Sequence, residues 1–154
     1  MKNWSLLLIS IFFFSCQQKE NKKDSAESTT PAVQQEKKQE NEQIGDTIAM
    51  SFKNEENVFA AEGRLDSLNS KIYVKFNSED FGKLNAQIVP DTGKGNIRFN
   101  QIIFPDKTSD GPFGMDLKIP LQQKGTHILV IGHSLMADNP YYGKFKVQLN
   151  IQKE

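Results

Sequence analysis

The chain has 154 residues, with nineteen Lys and Arg against nineteen Asp and Glu, and a single cysteine. Once a leader and a tether are set aside, that length holds one small domain and not two, and a balanced charge without a long Lys/Arg block excludes a nucleic-acid footprint. A lone cysteine excludes an internal disulfide framework and any Cys-x-x-Cys metal or redox motif.

The N-terminus opens on Lys2 and Asn3, continues as an apolar run from Leu6 to Phe14 broken only by Ser10, and reaches Ser15 and Cys16. A short positive start and an apolar stretch of this length fit a signal peptide and fall short of the roughly 20 residues that span a bilayer. A cysteine directly after an export core and directly before a polar run has no core to enter, so Cys16 reads as an attachment point. Phe13-Phe14-Ser15-Cys16 resembles the lipobox of bacterial lipoproteins, in which the cysteine is lipidated on sulfur and becomes the mature N-terminus. The resemblance implies a signal peptide over residues 1–15, lipidation of Cys16, and an outer-membrane anchor at the periplasmic face or the cell surface. One acyl chain holds a protein only marginally, but the two or three implied here, at about 0.8 kcal/mol per buried methylene, hold it for practical purposes permanently.

Residues 16–44 read as a disordered tether. From Gln17 to Gln43 the composition is Gln, Lys, Glu, Asn, Ser and Thr, with Val33 the only large aliphatic residue, and such a segment cannot bury enough apolar surface to offset its ordering entropy. Charge pairs within Glu36-Lys37-Lys38-Gln39-Glu40 contribute only tenths of a kcal/mol each, too little to fold it. Gln17-Gln18-Lys19-Glu20 is similar to the short export tags that send lipoproteins to the cell surface in some Gram-negative lineages.

From residue 45 to 154 the hydrophobic period switches to two, which predicts a single all-β domain. Ile48, Met50 and Phe52 alternate with Ala49, Ser51 and Lys53. Ile72, Val74 and Phe76 alternate with Lys71, Tyr73 and Lys75. The pattern recurs at Leu84, Ala86 and Ile88, at Met115, Leu117, Ile119 and Leu121, and at Phe145, Val147, Leu149 and Ile151. Each predicts a strand with one packed and one wet face. Ile97 to Phe104 and Ile128 to Ile131 are apolar on both sides and predict central strands. With Val58 to Leu65 this makes about eight strands, separated by turn-forming clusters, the pattern of an antiparallel β-sandwich. The strand order and the glycines in Gly63-Arg64-Leu65, Gly125-Thr126-His127-Ile128 and Gly143-Lys144-Phe145 resemble the jelly-roll sandwich of bacterial pre-peptidase C-terminal domains and of similarly built lysozyme inhibitors. That resemblance implies an accessory or inhibitory module of the envelope, not a catalytic one.

Few residues carry chemistry. His127 and His133 share strand parity but lie roughly 20 Å apart at 3.3 Å per residue, too far to chelate one metal, and read as rim histidines at the two ends of a strand. Asp106, Asp110 and Asp116 surround the longest loop, Pro105 to Gly114, whose spacing is not that of an EF-hand and whose Asp-Gly-Pro is first a turn sequence. No metal site or cofactor is expected. Phe113, an aromatic in that polar loop, either plugs the end of the sandwich or is offered to a partner; aromatic burial outweighs the loop's polar contacts and favours the plug. Tyr141 and Tyr142 stand near Asp138 and Asn139 in a second patch suited to stacking on a sugar, but adjacent residues entering a strand face opposite ways, so one ring serves such a platform. No Ser/His/Asp order, carboxylate pair or phosphate-cradling loop stands out, and Gly93-Lys94-Gly95 lacks the length and helix of a P-loop. The expectation is a lipid-anchored, non-catalytic envelope protein with a β-sandwich binding module. Its candidate binding residues are Asp110, Phe113, Tyr141 and Tyr142, and its partner is the membrane through the lipid together with an envelope protein or glycan. Two alternatives stand beside it: an inhibitor of a secreted hydrolase that inserts the Pro105 to Gly114 loop, and a glycan-binding module.

Overall fold

The computed structural model describes residues 40–93 and 95–153. The leader, Cys16 and the tether up to residue 39 lie outside the described residues. Ten strands run in the order β1 (Gln43–Ile44), β2 (Thr47–Met50), β3 (Phe59–Leu65), β4 (Ile72–Ser78), β5 (Gly82–Pro90), β6 (Arg98–Ile103), β7 (Ser109–Asp110), β8 (Asp116–Leu121), β9 (Gly125–Gly132) and β10 (Gly143–Lys153), with no helix among the described residues. One sheet has the order β1-β2-β4-β9-β6-β7 and the other β3-β10-β5-β8. Strands β2 and β4 pair in parallel, Ile48 opposite Val74, and the remaining pairs are antiparallel. The expected all-β sandwich is present, and the two strands beyond the expected eight are the two-residue pieces β1 and β7.

Period-two alternation places the core. Leu84, Ala86 and Ile88 of β5, Phe145, Val147 and Leu149 of β10, and Leu117 and Leu121 of β8 face Ile48, Met50, Val74, Phe76, Phe99, Ile102, Leu129 and Ile131 of the other sheet, all buried. Each large side chain so buried contributes about 1.5–3 kcal/mol against its exposed state. Gly63 lies opposite Phe145, and a Cβ on it would sit 2.5 Å from the Phe145 ring, so the bare backbone is what lets that ring cross β3. Strand β9, apolar on both sides, runs between β4 and β6, and Val130 on its outer side is also buried.

Three sequence expectations need correction. Phe52 is not on the packed face of a strand: β2 stops at Met50, and the Asn41 carboxamide oxygen captures the next two amides, Ser51 N (2.8 Å) and Phe52 N (2.9 Å), leaving the Phe52 ring exposed. Met115 is exposed too, because its residue precedes β8 and spends its carbonyl on Ile88 N (2.8 Å). His127 is no rim residue. It is fully buried on the core side of β9, stacked on Phe76 with centroids 5.3 Å apart and edge-on to Phe104 at 6.0 Å.

Both seams between the sheets are stitched. On one side Asn41 bridges to Ala61 of β3 and donates to Phe52 O (2.7 Å) and Ala60 O (3.0 Å), while Gln43 Oε1 accepts from Arg64 N (2.7 Å). On the other, Phe113 N donates to Phe99 O (2.9 Å), Phe99 N to Gly114 O (3.0 Å), and Ile88 N to Met115 O. The residues just ahead of β2 and those just ahead of β8 therefore do the same work on opposite edges.

Candidate functional site

Three connections meet at the end of the sandwich where β4, β6 and β10 begin: β3 to β4, β5 to β6, and β9 to β10. The last of these, residues 133–142, carries Met136, the most exposed large apolar side chain among the described residues, next to Leu135; Ile44, alone on β1, is the only other one exposed to that degree. Ala137 N donates to Ser134 O (3.3 Å), closing a four-residue turn whose two central residues are Leu135, 78 % exposed, and Met136, 98 % exposed. Leu68 on the neighbouring β3–β4 connection and Tyr142 are exposed beside it.

This turn is held from below. Asn96 Nδ2 donates to Ser134 O (2.6 Å) and Ala137 O (3.1 Å), Asn96 Oδ1 accepts from Ser134 N (2.9 Å), and Asn96 N donates to Asn139 O (2.9 Å). Asn139 itself takes a left-handed φ of 68°, a conformation asparagine tolerates better than most residues. His133 is buried with its two ring nitrogens against the carbonyl oxygens of Leu68 (3.1 Å) and Tyr141, which ties the two connections together, and its ring packs on Tyr142 at 5.6 Å. A protruding apolar turn on a fixed base is a pre-ordered contact surface, because the side chains it presents need little further ordering when a partner binds.

Beside it opens a cleft of about 360 Å³ between the β1–β2 turn and the β3–β4 connection, lined among others by Gln43, Asp46, Arg64, Asp66, Lys71 and Tyr73. Its charges balance, two acids against two bases, and Arg64 is already paired with Asp66. The cleft is lined mainly by polar and charged side chains.

The predicted site residues do not form one patch. Asp110 lies on the edge strand β7, opposite Ile102, with Oδ1 accepting from Gly111 N (2.7 Å). Phe113 is half-buried and packs against the core, and the loop around it runs bonded along β6 instead of projecting. Tyr141 is 4 % exposed, its hydroxyl donating to Lys144 O and accepting from Asp91 N (3.3 Å), while Tyr142 faces out at 52 %. A Cβ on Gly95 would lie 2.7 Å from Tyr141 Cβ, so that glycine makes room for the buried ring. Asp106 is spent on turn structure: Thr108 Oγ1 (2.6 Å), Thr108 N (2.9 Å) and Gln123 Nε2 (2.8 Å) all donate to it, and the Thr108 hydroxyl foremost holds its carboxyl below the usual range. Among the described residues no three His, Cys, Asp or Glu side chains gather to hold a metal ion.

The sequence points to this connection through Tyr141 and Tyr142 and does not mark Leu135 and Met136 as its exposed tip. The available signal was two large apolar residues between Ser134 and Asp138-Asn139-Pro140, outside any period-two run. Asn96, which fixes the tip from 38 and 41 residues away, gave no signal at all.

No family model matches the chain, and no curated protein is similar to it in sequence. Solved structures do resemble it. The periplasmic lysozyme inhibitor PliG of Aeromonas hydrophila, an inhibitor of g-type lysozyme, superposes with a TM-score of 0.54 at 12 % identity, covering 74 % of this chain and 100 % of that one. The PliG of Salmonella Typhimurium, also a periplasmic inhibitor of g-type lysozyme, gives 0.51 at 14 % identity over 71 % of this chain and 100 % of that one. At these identities the likeness is one of fold.

Proposed function

We propose that the chain is a non-catalytic, lipid-anchored envelope protein whose sandwich inhibits a lysozyme-type hydrolase by docking the Leu135–Met136 turn against it. The observation that carries this reading is the turn itself, two large apolar side chains held out in solvent on a hydrogen-bonded base. The shared fold of the two periplasmic inhibitors supports the choice of partner. A glycosidase cuts in a groove lined by carboxylates, so a protein obstructs it by seating a convex element across that groove. Burying Leu135 and Met136 together supplies about 3–6 kcal/mol, a large share of the about 8 kcal/mol of a micromolar complex. Cys16 and the tether would keep the domain within reach of the cell wall that such an enzyme attacks.

The test is a lysis assay in which the purified protein is titrated into g-type and other lysozymes acting on peptidoglycan. Inhibition of at least one enzyme is expected, and Leu135→Asp with Met136→Asp removes it while the fold stays intact by circular dichroism. A protein that inhibits none of them overturns the proposal.

A further inference from the structure

The outward face of the four-stranded sheet carries a pattern that the inhibitor reading leaves unused. While Phe145, Val147, Leu149, Leu84, Ala86 and Ile88 point inward, the alternate positions present Gln148, Asn150 and Gln152 on β10 and Asn85 and Gln87 on β5. The register sets Gln148 beside Gln87 and Asn150 beside Asn85. Five primary amides thus share one face, roughly 5 Å apart across the strands and about 7 Å apart along them. Each offers two donors and an acceptor in one plane. Among the described residues, the one side-chain hydrogen bond made by the five is Gln87 Nε2 to Asp116 Oδ1 (3.0 Å).

Three lysines stand around this block, with Glu62 opposite Lys146 and Asp116 opposite Gln87 as the carboxylates at its margins, so the Lys83 and Lys118 end is its cationic part. Lys83 stands on β5 opposite Gln152, Lys118 on β8 opposite Asn85, and Lys146 precedes Gln148 on β10. None of the three forms an ion pair among the described residues, whereas Lys144 has Glu62 at 3.9 Å and Arg64 has Asp66. The face carries no aromatic ring and few apolar side chains, so it lacks the anchors of a protein interface core. With no ring on which a base could stack, it also lacks the platform of a single-strand nucleic-acid site. A grid of amides, four of the five making no side-chain hydrogen bond among the described residues, with Lys83 and Lys118 at one end matches an extended ligand dense in hydroxyls and bearing carboxylates.

We propose that this face binds an anionic polysaccharide, hydroxyls meeting the amides of Asn85, Gln87, Gln148 and Asn150 and carboxylates meeting Lys83 and Lys118. The surface lies on a sheet face, apart from the Leu135–Met136 turn, and stands whether or not the protein inhibits a lysozyme.

Calorimetric titration of the full chain with polygalacturonate tests it, with neutral dextran, duplex DNA and phosphatidylglycerol vesicles as comparison probes. Binding to polygalacturonate and not to dextran is expected. The pair Asn85→Ala with Asn150→Ala and the pair Lys83→Glu with Lys118→Glu should each weaken binding at least tenfold at unchanged melting temperature, and neither should alter any lysozyme inhibition. The proposal is overturned if polygalacturonate does not bind, if DNA or vesicles bind as well as it does, or if the amide pair binds like the parent, since charge alone would then account for the affinity.

Discussion

His127 is a titratable ring buried on the core side of β9, against Phe76 and Phe104. Its Nδ1 lies 3.0 Å from Gly125 O, its Nε2 is buried with no hydrogen-bond partner, and Phe76 stacks on its face. Burial opposes the charged form and lowers its pKa from the ordinary value, with the Gly125 carbonyl working weakly the other way. The unfolded chain therefore takes up a proton that the folded chain resists, so stability is complete above about pH 6.5 and declines as pH falls below it. Urea midpoints at pH 7.5 and pH 5 should show this loss in the parent and a smaller one in His127→Phe, which keeps an aromatic ring against Phe76 without a titrating group. At the opposite extreme of burial, Met136 touches little of its own protein. Changing it to Asp should move stability by no more than about 0.5 kcal/mol, as surface changes usually do. If it is an anchor of the proposed contact, the same change should cost at least about 2 kcal/mol of binding, a thirtyfold weaker inhibition constant.

At the scale of elements, the strands were legible and the devices that end and join them were not. β2, β4, β5, β8 and β10 follow period-two runs, because a side chain's inward or outward direction is set by parity, while β6 and β9 were legible as runs apolar on both sides. Phe52 kept the right parity and still failed, since Asn41 removes the next two amides from the ladder, and a long-range side-chain bond leaves no mark on local pattern. Asn41 makes four hydrogen bonds, two as donor and two as acceptor. Asn41→Ala should lower the unfolding free energy by roughly 1–3 kcal/mol, the cost of buried groups left unmatched, read as a lower denaturant midpoint at unchanged slope. The candidate site was half legible: Tyr141 and Tyr142, just ahead of β10, do differ in burial as expected, one ring inside and one out, but the exposed turn depends on Asn96, four strands earlier in the chain. Asn96→Ala should leave Leu135 and Met136 in place chemically while freeing their base. Faster hydrogen exchange at Ser134 N and weaker inhibition are expected together.

For the whole molecule, the anchor and the domain are separate predictions. Cys16→Ala should release the protein from the membrane fraction without changing the domain's melting temperature, as fractionation and calorimetry would show. Within the domain, β10 lies between β3 and β5, pairing Leu149 with both Phe59 and Ala86. The nine strands made before it can form hairpins, but β3 has no ladder in its own sheet and the other sheet has nothing complete to pack on until β10 is available. Pairings so distant along a chain are slow to form. The two sheets therefore cannot close on one another until nearly the whole domain has been made, and the tenth strand acts as the latch that completes it.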